Sequence, residues 1–267
     1  MVERLDSVMN EQPNPPAAGT HPPGETPADR VLPMFYKKIE ILTPAAHGAL
    51  SVKDAADMSF SAEVDHVPLL VNEFAEAQRH YPIVFSGGSD PMAYALLGGM
   101  DGRNLFIESD GTWAKGRYVP AYVRRYPFLA ARVAETDQWT VCIDREAPMV
   151  SEGDIRPLYH SEEPTKTLRE AIEFCRNYAA SEAHTRTCCR VLHELDLLSE
   201  GQASLLLPGE ETRRLRGFHV IDRKKYDALP ADVIEEWRQT RLLDAVYAHF
   251  ASFGAWEVIR LRVMEMQ

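Results

Sequence analysis

YPIVFSGGSDPMAYALLGGMDGRNLFIESDGTWAKGRYVPAYVRRYPF, Tyr81 to Phe128, alternates short apolar runs with turn chemistry. The runs are Ile83–Phe85, Met92–Leu97 and Asn104–Ile107, separated by Gly87-Gly88-Ser89-Asp90-Pro91 and then Gly98-Gly99-Met100-Asp101-Gly102. Runs of this length bounded by glycine and proline read as strands. Asp110-Gly111, between Phe106 and Trp113, is the strongest hairpin signal, because glycine takes a positive φ without steric penalty. Pro120 then opens a short helix, and Pro127 forbids its continuation. Proline has no N–H to donate and drives the residue before it, Tyr126, out of the helical region. The stretch reads as an antiparallel meander closed by a helical clasp.

Upstream, residues 1–33 form a proline-rich leader too poor in apolar residues to offset its ordering entropy, so disorder is expected there. Residues 34–267 are expected to form a single domain. Lys38–Thr43 and Leu50–Val52 read as strands, and Asp65 followed by Pro68 predicts a helix carrying Leu70, Phe74 and Ala77 on one face. Downstream, Gln138–Ile143 reads as a strand ending at Asp144. Thr165–Leu198 carries the longest helical pattern, with a break, a bend or a solvent-facing turn expected in the polar run Ser181–Thr187 and a stop at Gly201. A hairpin over Ala203–Leu207 and Arg214–Ile221, and helices after Pro230, through Leu242–Phe250 and over Trp256–Met264, complete the chain. Strands gather in the N-terminal half and helices in the C-terminal half. The expected class is α+β, an antiparallel sheet packed against those helices.

The charge balance narrows the function classes. Of 267 residues, 29 are lysine or arginine and 40 aspartate or glutamate, a net charge of −11. Non-specific contact with nucleic acid or an anionic membrane surface needs a positive field, so both are disfavoured. No apolar run approaches the ~20 residues of a membrane span. Met1–Asn10 carries Glu3 and Asp6 and lacks the apolar stretch of a secretory signal. A cytoplasmic location is expected, with signal-independent export to the cell surface as the alternative. Four cysteines, Cys188 and Cys189 adjacent, fit reduced core thiols better than a disulfide framework.

Catalytic signatures are sparse. Neither H-E-x-x-H, C-x-x-C nor G-x-S-x-G occurs, and no metal or cofactor is expected. Cys189 and His193 share a helix face but lack a third ligand. Ser86–Asp90 is a glycine turn whose Asp90 would repel a phosphate. The most suggestive cluster is Trp113, Tyr118, Tyr122, Arg124, Arg125 and Tyr126. Two arginines between aromatic rings can clamp a carboxylate through paired N–H bonds while a ring stacks on the ligand. The bland reading makes the rings core anchors and gives the arginines to acids such as Asp101, Glu108 or Asp144. Asp144 is also a candidate general base, though it has no convergent partner in the sequence.

The blocks HYPIVF (His80–Phe85), Gly98–Phe128, CID (Cys142–Asp144), GFHVID (Gly217–Asp222) with ALP (Ala228–Pro230), and LLDAVYAHFASFGAWEVIRL resemble the SapC family of bacterial proteins. The likeness runs over nearly all of Met34–Leu261; the loop Leu158–Pro164 departs from it. The resemblance implies a link to surface-array assembly, and to a peptide or nutrient pathway shared with TonB-dependent receptors and tryptophan-halogenase-like enzymes. It supplies no catalytic residues. The peptide-transporter permease that shares the name is a membrane protein, unlike this chain, which has no spanning segment.

Two function classes follow. The first is a non-catalytic binding or accessory protein that engages a protein or peptide partner. The second is an enzyme or enzyme subunit acting on a small carboxylate-bearing or peptide substrate, with Arg124 and Arg125 on the carboxylate and Asp144 handling protons. A self-assembling surface protein is a third. A hollow lined by both arginines favours the enzyme, and a sealed corner favours binding alone.

Overall fold

A computed structural model of the chain describes residues 32–53, 56–99, 102–132, 139–205 and 212–265. The class is α+β, and its sheets are antiparallel. Two units emerge from the contacts within the chain. One comprises Asp57–Val123 with the chain from Ser181 onward, and the other the described residues up to Ala56 with Arg124–Ala180.

The first unit is built on a five-stranded sheet ordered Leu198–Leu205, Arg213–Ile221, Ile83–Phe85, Ala93–Leu96 and His66–Pro68. Its centre is the expected meander: Ile83 lies opposite Ala95 and Phe85 opposite Ala93. The turn between them closes when Ser86 N–H donates to Met92 O (2.9 Å) and Met92 N–H donates to Ser86 Oγ (2.9 Å). Val84, Leu96 and Phe218 are buried together on this sheet, with Leu215 and Trp256 packed against them. Burying side chains of this size contributes about 1.5–3 kcal/mol each.

The second unit holds a three-stranded sheet in the order Ile39–Ile41, Trp139–Asp144, Phe128–Arg132. Two short ladders accompany it: Leu50–Val52 with Val150–Glu152, and Tyr159–His160 with Glu163–Pro164. The helix Lys166–Glu194 begins here, where Thr165 Oγ donates to Pro157 O (2.6 Å) and accepts from Leu168 N–H (3.4 Å). Leu168, Cys175 and Ala179, spaced along one face of this helix, are buried.

Several local expectations are corrected. The segment after Asp65 is not helical: His66–Pro68 is an edge strand against Tyr94–Leu96, and Val71–Glu73 and Phe74–Ala77 supply only short helical turns. Strand pairing there outweighs the capping signal, and a sheet edge tolerates Pro68 because its missing N–H interrupts no ladder. The break at Ser181–Thr187 does not occur. Thr185 and Thr187 donate their hydroxyls to the carbonyls of Ser181 and Ala183 (2.8 and 3.2 Å), so the polar run stays within one helix. Gly201 does not end that helix. Asp196, at φ +54, follows its C-terminus, and Gly201 sits at a bulge where a Cβ would stand 2.5 Å from the Phe218 ring. Asn104–Ile107 contributes one bridge, Ile107 to Trp113, across the Asp110-Gly111 turn rather than a strand. The five-stranded sheet also takes two of its strands from the C-terminal half. Residues 1–31 of the expected leader, Met100-Asp101 and the tip of the second hairpin at 206–211 lie outside the described residues.

Candidate functional site

The six clustered residues fall into two groups. Trp113, Tyr118 and Tyr122 belong to the first unit, and Arg124, Arg125 and Tyr126 to the second. In the first unit the organising group is Glu73, which is buried. Its carboxylate accepts from Leu70 N–H (3.0 Å), Ala121 N–H (2.7 Å) and the Tyr118 hydroxyl (2.7 Å). Trp113 donates its indole N–H to the Tyr81 hydroxyl (3.1 Å), which itself donates to Tyr118 O. Trp113 also stacks on Phe106, with centroids 6.3 Å apart. Burial raises the Tyr81 hydroxyl well above the usual phenol range. Trp113, Tyr122 and Tyr81 are all buried. This group holds segments of backbone together, as buried polar side chains do when each donor has its acceptor.

In the second unit Arg124 and Arg125 line one cleft of about 280 Å³. Arg124 is the last residue of the helix Ala121–Arg124, and the chain then turns through a cis Tyr126–Pro127 peptide into the strand Phe128–Arg132. Phe128 N–H donates to Arg125 O (2.8 Å), which fixes that turn. Opposite stands the first part of the long helix, whose Thr167, Glu170, Ala171 and Phe174 recur at spacings of three and four and so share a face. The Arg124 guanidinium lies 5.4 Å from the centroid of Phe174, and that of Arg125 4.4 Å from Tyr178. Lys53 and Arg156 bring the cationic lining residues to four, against the single carboxylate of Glu170. Val52, Phe128 and Met149 give the same cleft an apolar, buried portion.

Tyr126 also lines the cleft, but its hydroxyl donates inward to Asp144 Oδ2 (3.0 Å). Asp144 is fully buried. Its Oδ1 accepts from the amides of Lys38 (2.9 Å) and Glu146 (3.1 Å), and its Oδ2 also accepts from that of Lys37 (2.9 Å). A carboxylate has about four lone-pair sites, and four donors occupy these. Asp144 is thereby placed as the anchor that ties Lys37 and Lys38 to the strand Trp139–Asp144. Burial and the neighbouring Asp144 charge raise the Tyr126 hydroxyl above the ordinary phenol range. Cys175 reaches the cleft wall, yet burial pushes its thiol up to about 12, so it carries no thiolate at neutral pH. Glu108, one of the acids considered for the arginines, pairs with Arg262 at 2.9 Å.

Sequence reasoning brought the two arginines to one site and missed Lys53, Arg156, Glu170 and Phe174. Glu170 and Phe174 carry a readable signal, four apart on a helix. Lys53 and Arg156 stand in irregular segments where no periodicity marks a side chain's direction. Among the described residues, no group of three or more His, Cys, Asp and Glu side chains is placed to hold a metal ion.

The fold and the cleft define an α+β protein built on antiparallel sheets, and none of its described helices is long and apolar enough to cross a membrane. The chain belongs to the SapC family, whose model matches residues 42–259. No curated protein and no solved structure matches it.

Proposed function

We propose that this chain is a non-catalytic binding or accessory protein that engages a protein or peptide partner through an anionic group seated in the cleft of the second unit. The observation that carries this reading is the convergence of Lys53, Arg124, Arg125 and Arg156 on one cavity in a chain of net charge −11. A local reversal of sign attracts an anion, and guanidinium groups bind carboxylates in a directed, two-pronged way. Family membership supports a place in a bacterial surface or peptide-uptake pathway, in the cytoplasm or at the cell surface. The test is affinity capture from the source cells with the wild type and an Arg124→Ala/Arg125→Ala double variant, each checked for folding by circular dichroism. The expected result is a partner retained by the wild type and lost by the folded variant; identical capture profiles would sink the proposal.

A second reading draws on the fact that both arginines do face a hollow, which favours an enzyme acting on a small carboxylate; it stands second because Asp144, the base it called for, is engaged by four donors and does not line the cleft. Its proton-transfer group would be Glu170, the one carboxylate among the lining residues, rather than Asp144. Turnover of any carboxylate substrate that vanishes in Glu170→Gln, with binding retained, would establish it over the first.

A further inference from the structure

The composition of the cleft wall says more about the ligand than its charge does. A bare anion would be served by the cations alone and repelled by Glu170. A purely apolar ligand would answer none of the five charged lining residues. Three features have to be met within about 280 Å³: cations at Lys53, Arg124, Arg125 and Arg156, an apolar portion at Val52, Phe128 and Met149, and an acceptor at Glu170. This volume lies just under the lower end, about 300 Å³, of ordinary small-molecule pockets. It has room for about one residue of a ligand.

We infer that the cleft takes the C-terminal residue of a peptide, with its α-carboxylate among the cations, an apolar side chain against Val52, Phe128 and Met149, and its amide N–H directed to Glu170. The inference rests on the binding reading above and narrows it to a ligand class. In an acylated amino acid the carboxylate, the side chain and the amide nitrogen all hang from one carbon, so the three complementary features fall within the reach of so small a cavity. An internal aspartate or glutamate supplies the charge but only one or two methylenes for the apolar portion. Inorganic phosphate and an alkyl carboxylate both lack the N–H donor. The arginines suit the role because each guanidinium has an aromatic ring beside it, Phe174 for Arg124 and Tyr178 for Arg125, and its planar fork matches the two oxygens of a carboxylate.

Four probes separate the possibilities on the full chain by NMR titration or calorimetry: N-acetyl-L-leucine, N-acetyl-L-leucinamide, octanoate and inorganic phosphate. N-acetyl-L-leucine is expected to bind saturably, at least tenfold more tightly than each of the others. Glu170→Gln is expected to weaken it severalfold, and Arg156→Ala, at an exposed position, to weaken it tenfold. Equal binding of the amide, or tighter binding of octanoate or phosphate, would overturn the C-terminal residue while leaving an anion- or ligand-binding cleft in place. If no probe perturbs residues of the cleft, the inference falls, and unchanged capture by the double arginine variant would show that the binding reading has fallen with it.

Discussion

Val123 and Arg124 are neighbours in the chain, yet polar groups on the two sides of that bond do different work. Before it, Trp113, Tyr118 and Tyr81 are joined to one another, and Tyr118 to the buried carboxylate of Glu73. After it, Arg124 and Arg125 lie over aromatic rings and line a cavity. The second unit has its own buried carboxylate hub in Asp144, which does not line that cavity. Each unit therefore has an enclosed acid that organises backbone, and the second adds a cleft lined by four cationic residues. Neighbouring aromatic and arginine residues of one sequence cluster thus differ in whether they close a buried hydrogen-bond network or line a cavity.

The largest expected effects lie at the two hubs. Glu73→Ala strands three donors and Asp144→Ala four. An unsatisfied buried donor costs about 1–3 kcal/mol, so each variant should lose about 3–5 kcal/mol in urea denaturation. Asp144→Asn should lose less, since its remaining oxygen still accepts while its NH₂ meets a donor. A loss below about 1 kcal/mol at either site would remove the parallel between the hubs.

Next in size is an acid effect confined to the first unit. His249 is fully buried, accepts from Ile221 N–H at 3.1 Å, and lies among Phe85 and Phe253. Burial pushes its imidazole down to about 4. The unfolded chain takes up this proton near the ordinary value of about 6.5, whereas the folded chain resists it. Stability contributed by His249 is therefore complete above about pH 6.5 and declines as pH falls toward 4, by on the order of 3 kcal/mol in total. His249→Gln, which keeps an acceptor for Ile221 but does not titrate, should flatten that part of the stability–pH curve. An unchanged curve would show that the imidazole is not the group responsible.

How much of this was legible follows from the range of the interactions. The meander at Ile83–Leu96 was readable because glycine and proline act on their own backbone and strand neighbours are close in sequence. The helices after Pro230 were readable for the same reason. The strand at His66–Pro68 was not, since its identity depends on pairing with residues 94–96. The continuity of Lys166–Glu194 was also hidden, because threonine hydroxyls that favour turns elsewhere are absorbed by carbonyls of the preceding turn. At the site, Arg124 and Arg125 stood out by composition. Lys53 and Arg156 reach the same cleft only through tertiary placement, and two of the four donors to Asp144 are the amides of Lys37 and Lys38, far away in sequence.

A smaller loss of stability is expected at Arg125, whose guanidinium lies over Tyr178 at 4.4 Å. Arg125→Ala should cost about 0.5–2 kcal/mol, the range of a cation–π contact from exposed to desolvated settings. It should also weaken anion binding in the cleft at least tenfold. Arg125→Lys keeps the charge without the planar fork, so it should recover little of that affinity. Full recovery would mean that the cleft senses charge alone.

The smallest change in stability, and the sharpest separation of folding from recognition, is expected at Arg156. Its side chain is exposed and lines the cleft, while its backbone sits at φ +61, in the left-handed region that disfavours a residue with a Cβ. Arg156→Gly removes that strain, worth about 1–2 kcal/mol. It also gives the unfolded chain more freedom, an opposing term of about 0.5–1 kcal/mol. The Arg156 carbonyl, which accepts from Val52 N–H at 3.2 Å, is kept. The two backbone terms nearly cancel, so any shift of the urea midpoint measures what the Arg156 side chain itself contributes to folding, whereas binding of N-acetyl-L-leucine should fall tenfold with the lost cation. A clear drop in stability with binding intact would reverse the assignment, making Arg156 a structural residue and shrinking the recognition wall to Lys53 and the two adjacent arginines.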